Sequence, residues 1–153
     1  MDSLIVVESK SHGNTRRIAE AMAATLDARV VAPDEVYDAE IDAADLIGWG
    51  SGIYWMSFAP ELRHRIERLD ARARGRAFVF STSGLPETPL RRYSRTLVAS
   101  LAGRGFTVAD DVFACRGLDT MGPLSLVGGV NKGAPTTNDL AAAQAFARRI
   151  GES

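Results

Sequence analysis

The sequence has little cysteine, little net charge and no long hydrophobic run. Cys115 is the single cysteine among 153 residues, which excludes an intramolecular disulfide and a multi-cysteine metal site. No apolar stretch approaches the roughly 18 residues that suggest a membrane-spanning helix. The N-terminus lacks the basic segment of a signal peptide. We therefore expect a cytoplasmic protein with no membrane span and no bound metal.

Net charge is also small. Eighteen Lys and Arg residues face 19 Asp and Glu residues, so the formal net charge is −1. A nucleic-acid binder needs a strong positive field, and no nucleic-acid partner is expected. The charges are unevenly placed: residues 34–45 carry six acids and no base, and arginines cluster over residues 63–76. This asymmetry either orients a partner or belongs to solvated helix faces, and the sequence leaves both open.

The sequence has enough apolar residues for a core, at 46% of the chain. Strand-like runs alternate with helical patterns, which is typical of βαβ units around a parallel sheet. We expect one domain over residues 1–153, of α/β class, built as a three-layer sandwich. Five strands are predicted, over residues 4–7, 29–32, 45–50, 76–81 and 106–114.

Four helices are predicted from apolar residues at helical spacing, such as the stripe of Leu62, Ile66 and Leu69. Pro60 is expected in the first turn of that helix, where its missing N–H costs nothing. A fifth helical segment is uncertain and falls in the acidic residues 34–45. Further details are expected at two other places. Asp110 and Asp111 indicate a bend or an edge position in the last strand, and Thr136 with Asp139 resembles an N-terminal cap.

Ligands of open parallel sheets bind at the carboxyl ends of the strands, so the loops after the first, third and fourth strands are the candidates. The first loop joins hydroxyls and backbone N–H groups at the start of a helix, an arrangement that suits a phosphate. A simple βα turn with a helix cap would look the same. The candidate cofactor-binding residues of this first loop are Ser9, Ser11, His12, Gly13, Asn14 and Thr15.

This loop resembles the phosphate loop of flavodoxins, whose pattern is close to [ST]-x-[ST]-G-x-T, and the resemblance extends over nearly the whole chain. It implies a parallel sheet of order 2-1-3-4-5 and a bound flavin mononucleotide (FMN). The loop is one residue longer than the family pattern, and His12 precedes the glycine where a hydroxyl would stand. The imidazole either donates to the phosphate or lies exposed without a role.

The second loop is predicted over residues 50–58, with flexible glycines and an exposed aromatic pair. By the resemblance, Trp55 or Tyr54 stacks on the isoalloxazine ring, and the alternative is that both cover the core. Flavodoxins usually carry a glycine just after this aromatic, but Met56 stands there, so a backbone flip should be harder. The cofactor-binding candidates here are Ser51, Gly52, Ile53, Tyr54 and Trp55.

The third loop resembles the flavodoxin loop whose backbone amides contact the pyrimidine edge of the flavin. Its candidates are Thr82, Ser83, Gly84 and Leu85. The aromatic residue that flavodoxins often stack from this loop is missing. Cys115 ends the last strand near the same crevice, where it is either a thiol close to the flavin or a small buried hydrophobe.

The resemblance implies an FMN-binding electron-transfer protein that shuttles electrons between redox partner proteins, a reductase and an acceptor. No catalytic side chain is then required, because the cofactor carries the chemistry. The protein would be a monomer or a weak dimer. Its near-neutral charge differs from the strong acidity of flavodoxin shuttles. An FMN-dependent NAD(P)H oxidoreductase acting on a quinone or other small molecule is therefore the alternative. A response-regulator receiver is disfavoured, because no aspartate follows the third strand.

Overall fold

The structure is a computed structural model that describes residues 1–10, 13–54, 56–83, 87–115 and 135–153, with backbone alone over residues 87–92. Strands and helices alternate along the described chain. The strands are β1 (Ser3–Glu8), β2 (Arg29–Val31), β3 (Leu46–Tyr54), β4 (Ser57–Phe58), β5 (Arg76–Thr82) and β6 (Thr107–Cys115). The helices are α1 (Asn14–Leu26), α2 (Asp38–Ala43), α3 (Pro60–Glu67), α4 (Glu87–Gly103) and α5 (Thr137–Glu152). None of these helices is long and apolar enough to cross a membrane.

Five of the strands form one parallel sheet in the order β2-β1-β3-β5-β6. This confirms the predicted order, since β5 and β6 are the fourth and fifth strands expected from the sequence. One additional short strand, β4, was not predicted. It pairs antiparallel with the end of β3 through two residues, too few to leave a periodic pattern. The uncertain helix in the acidic segment exists as α2.

The third strand is longer than predicted. The expected loop after Gly50 was wrong for Ser51 to Tyr54, which continue β3. Ser51 and Gly52 still pair in parallel with β5, and the next two residues pair with β4, so the backbone has partners beyond the glycines. A second correction concerns Leu69, which is buried but lies beyond the end of α3.

The sheet is covered on both faces. Helices α1 and α5 pack together over one face, around Ile18, Met22 and Phe146. The other face is covered by α3 and α4, with residues such as Leu62 and Leu97. Both faces are apolar because each is sealed from water, as expected for a parallel sheet.

Two glycines in β3 allow the rings of β5 to lie across the strand. A Cβ on Gly48 would come 2.4 Å from the Phe78 ring, and a Cβ on Gly50 would come 2.3 Å from the Phe80 ring. Both distances are far below van der Waals contact. The glycines that looked like loop residues in the sequence are therefore packing residues within a strand.

Three local predictions are confirmed. Pro60 occupies the first turn of α3. Thr136 and Asp139 form a reciprocal capping box at the start of α5. Strand β6 lies at the sheet edge, and its pairing with β5 shifts register across the stretch that contains Asp110 and Asp111.

The acidic segment and the arginine cluster bind each other. Asp38 pairs with Arg65, and Asp42 pairs with both Arg72 and Arg74. Glu40 pairs with Arg29, which lies outside the cluster. The Arg74 side chain is only 1% exposed and also contacts Asp70. Part of the charge that appeared segregated in the sequence is thus paired within the fold.

Candidate functional site

The carboxyl ends of β1, β3 and β5 meet at one edge of the sheet. In the parallel register, Glu8 of β1 lies beside Ser51 of β3, which lies beside Ser81 of β5. Gly52 and Thr82 form the next row of the ladder. Residues predicted from two separate loops are therefore neighbours, and they sit where ligands of such sheets bind.

The first turn of α1 is open to an anion. Gly13 is its N-cap residue, with φ of +70° and no side chain to cap the helix, and the first turn carries no acid. Among the described residues, nothing lies within 4 Å of a Cβ placed on Gly13. Ser9 approaches from the end of β1, where its Oγ accepts from the backbone N–H of Arg16 at 3.3 Å. The positive end of the helix dipole thus lies beside Gly13, with no acid in the first turn of α1 to occupy it.

Thr15 connects this helix start to the predicted third loop. Its hydroxyl lies 2.7 Å from that of Thr82, and both side chains are buried. The next residue, Ser83, donates its backbone N–H to the carbonyl of Cys115 at 2.9 Å. The start of α1 and the ends of β5 and β6 are therefore held together by hydrogen bonds.

The β3–β4 hairpin positions the predicted second-loop residues. The Ser51 hydroxyl is buried in it, donates to the Gly52 carbonyl at 2.6 Å and accepts from the Ala59 N–H at 3.0 Å. Ile53 packs against the core on the α3–α4 side. Met56, in the turn, already has a φ of +62° and is half exposed. The turn thus places a side chain in the left-handed conformation that usually favours glycine.

Tyr54 is half-buried rather than exposed, which corrects the expectation for this aromatic. Its hydroxyl would lie 2.8 Å from a Cβ on Gly52, so the ring folds back over that glycine. Lys10 lies over the ring, with its Nζ 5.4 Å from the centroid, and forms an ion pair of 2.8 Å with Glu61. These contacts tie the chain after β1 to the hairpin and to the start of α3.

Lys10 and Glu61 are site residues that sequence reasoning missed. A Lys inside the first loop and an acid directly after Pro60 were available signals, but only the fold brings them together. The hydrogen bond from Lys10 lowers the pKa of Glu61, and the same bond raises the pKa of Lys10. Burial, followed by the charge of Glu61, raises the pKa of Glu8. Burial also raises the pKa of Tyr54.

Cys115 is buried, in agreement with the second of its two alternatives, a small buried hydrophobe. Burial, with a smaller contribution from Asp139, raises the pKa of its thiol to about 12. The thiol is therefore protonated at neutral pH and is a poor nucleophile. Within the described ranges, no group of three or more His, Cys, Asp or Glu side chains could hold a metal ion.

Comparison with known proteins identifies the family. Residues 4–117 match the model of the Flavodoxin domain. An uncharacterized protein of Methanocaldococcus jannaschii is 34% identical over 150 residues, 98% of each chain. The chain belongs to the flavodoxin family. FMN is the cofactor of that family.

Solved structures of flavodoxins share the fold. Oxidised flavodoxin 2 from Bacillus cereus superposes with a TM-score of 0.74 at 18% identity, over 99% of both chains. A flavodoxin from the domain Archaea gives a TM-score of 0.69, also at 18% identity, over 99% of this chain and 97% of that one. This chain and the two solved flavodoxins therefore share one fold although only 18% of their residues are identical.

The described part of this flavodoxin fits FMN at its phosphate end. The space that the described residues leave beside Gly13, the positive end of the helix dipole and the absence of an acid in the first turn of α1 suit a phosphate monoester. Five predicted contacts lie outside the described residues and stay predictions. They are Ser11, His12, Trp55, Gly84 and Leu85.

Proposed function

We propose that this flavodoxin binds FMN without a covalent bond and transfers electrons between redox proteins, as a single cytoplasmic domain, monomeric or weakly dimeric. The observation that carries the proposal is the glycine-capped, acid-free N-terminus of α1 beside the joined ends of β1, β3 and β5. Helix N-termini of this kind bind phosphate through backbone N–H groups and the helix dipole.

The residues of the site have separate tasks in this proposal. Gly13 and Asn14 position the phosphate at the start of α1, and Ser9 borders the same space. Thr15, through its bond to Thr82, fixes that helix start against the sheet. Tyr54 offers an aromatic face to the flavin ring.

Bound FMN supplies the redox chemistry, because its isoalloxazine ring accepts and returns electrons. The protein's part is to hold and orient the ring and to limit the access of water. Glu8 and Glu61 place negative charge near this edge, and Lys10 offsets part of it. None of these side chains has to act as an acid or a base.

The phosphate assignment is tested by comparing FMN with riboflavin, which lacks the phosphate. Gly13→Asp puts a carboxylate at the helix N-cap, and Asp tolerates the left-handed conformation better than most residues. We expect FMN affinity to fall at least about tenfold, because the added carboxylate repels the phosphate. Riboflavin affinity should change little.

Flavin fluorescence quenching on titration of the apoprotein measures both affinities. Gly103→Asp is the matched control, because Gly103 ends α4 and a Cβ there also meets open space. Equal losses for FMN and riboflavin, or an unchanged FMN affinity, would contradict the assignment. A protein that binds neither flavin would overturn the proposed function itself.

A second candidate function is an FMN-dependent NAD(P)H oxidoreductase acting on a quinone or other small molecule. The pairing of Asp38 and Asp42 with arginines favours it, because it removes part of the charge that could steer a protein partner. Stopped-flow mixing of the FMN-loaded protein with NADH or NADPH separates the two. Rapid direct reduction supports the enzyme, and slow reduction supports the electron carrier.

A further inference from the structure

A second cavity lies away from the phosphate end, between the β3–β4 hairpin and helices α3 and α4. Its volume is about 380 Å³, within the roughly 300–1,000 Å³ usual for small-molecule sites. Phe58 and Leu97, both buried, form apolar walls, and the half-exposed Met56 lies at its rim. A flat ring would bury apolar surface chiefly of Met56, because Phe58 and Leu97 expose little of their own.

The polar groups of the cavity include a donor and an acceptor on one helix. Arg63 and Glu67 are one turn apart on α3, and both line the cavity. Nε of Arg63 donates to the Phe58 carbonyl at 3.2 Å, which fixes the guanidinium at the wall. Among the described residues, the terminal nitrogens of Arg63 and the carboxylate of Glu67 have no hydrogen bond or ion pair.

Tyr93 provides a second, independent observation in favour of a ligand in this cavity. Its ring lines the cavity and its side chain is more than nine-tenths buried, yet its hydroxyl has no hydrogen-bond partner in the described part of the chain. A buried phenol usually finds a partner. Burial also raises its pKa, so the hydroxyl stays neutral and can donate.

We propose that this cavity binds a small planar aromatic molecule that carries a carboxamide. Its carbonyl oxygen accepts from Arg63, its amide N–H donates to Glu67, and its ring lies between Phe58 and Leu97. A carboxylate on the same ring suits the cavity less well, because Glu67 repels it. The site is separate from the FMN phosphate site and is argued from different residues.

Nicotinamide is the probe for this proposal and nicotinate its carboxylate counterpart. Titration of the apoprotein and of the FMN-loaded protein, followed by backbone amide NMR shifts, locates and measures binding. We expect a millimolar dissociation constant for so small a ligand. The shifts should centre on Met56, Arg63 and Leu97, in both forms of the protein.

Substitutions test the polar pair. Arg63→Gln should weaken nicotinamide about tenfold, as expected for loss of a charge-assisted hydrogen bond. Glu67→Gln should remove most of the preference for nicotinamide over nicotinate. Arg68→Gln is the matched control, because Arg68 caps the same helix but lines a different pocket, and it should change neither affinity.

Three results would overturn the proposal. They are the absence of binding at tens of millimolar nicotinamide, binding that FMN displaces, and equal effects of Arg63→Gln and Arg68→Gln. The apoprotein titration requires no flavin, so its outcome is independent of the proposed function. A protein that fails to bind FMN could still bind nicotinamide here, and the reverse also holds.

Discussion

The hydrogen bond between Thr15 and Thr82 should make a measurable contribution to stability. Its oxygens are 2.7 Å apart, and the two side chains are 3% and 6% exposed. Thr15→Val keeps the shape of the side chain but leaves the Thr82 hydroxyl buried without this partner. Such an orphaned group costs about 1–3 kcal/mol. At the centre of that range, Tm should fall by about 4–8 °C for a chain of this size.

A double-mutant cycle decides whether the cost comes from the orphaned hydroxyl. Thr15→Val combined with Thr82→Val leaves no unpaired group, so its cost should be about 1–2 kcal/mol less than the sum of the single costs. Urea unfolding of the apoprotein measures all three variants. Thr25→Val is the control, since its hydroxyl makes only a 3.5 Å contact within α1. Strictly additive single effects, or losses no larger than that of Thr25→Val, would refute the reasoning.

Three further predictions use the same unfolding assay. Gly50→Ala should destabilise the protein by about 1–3 kcal/mol through its clash with Phe80, and adding Phe80→Leu should recover part of that loss. An unaltered unfolding midpoint in Gly50→Ala would contradict the packing. Met56→Gly should be more stable than Met56→Ala by about 1 kcal/mol, because only glycine adopts the positive φ without cost. If Met56→Ala were the more stable of the two variants, backbone strain in the turn would be excluded. The pKa of Asp70 is lowered to about 2 by hydrogen bonds from Arg72 and then Arg74, so its contribution is complete above about pH 4 and disappears as pH falls toward 2. Asp70→Asn should weaken the acid dependence in that window, whereas Asp111→Asn, whose ion pair is 3.8 Å long, should leave it nearly unchanged.

Most strands and helices could be predicted because they depend on local periodicity and on short turn signals. Ile18 and Met22 show which face of α1 is buried, and Thr136 with Asp139 marks the start of α5. Such signals lie within a few residues of one another in the chain. The resemblance to flavodoxins then supplied the strand order.

The features that were missed depend on residues far apart in sequence. Lys10 meets Glu61 across 51 positions, and Arg74 meets Asp42 across 32. No periodic pattern reports such pairs. Gly50 shows the same problem within a strand, since its role is visible only once Phe80 lies across it. The candidate site was therefore predicted in its general position but not in its electrostatic contacts.

The packing of α1 against α5 has a consequence for synthesis on the ribosome. Helix α1 is made early, but its partner over residues 137–152 emerges after the whole sheet has been translated. Until then, Ile18, Met22 and the ring of Phe78 lack the cover that Phe146 and Ala143 provide. The nascent chain thus exposes an apolar face during most of its elongation, and ribosome-bound chains that stop before residue 137 should be prone to aggregate.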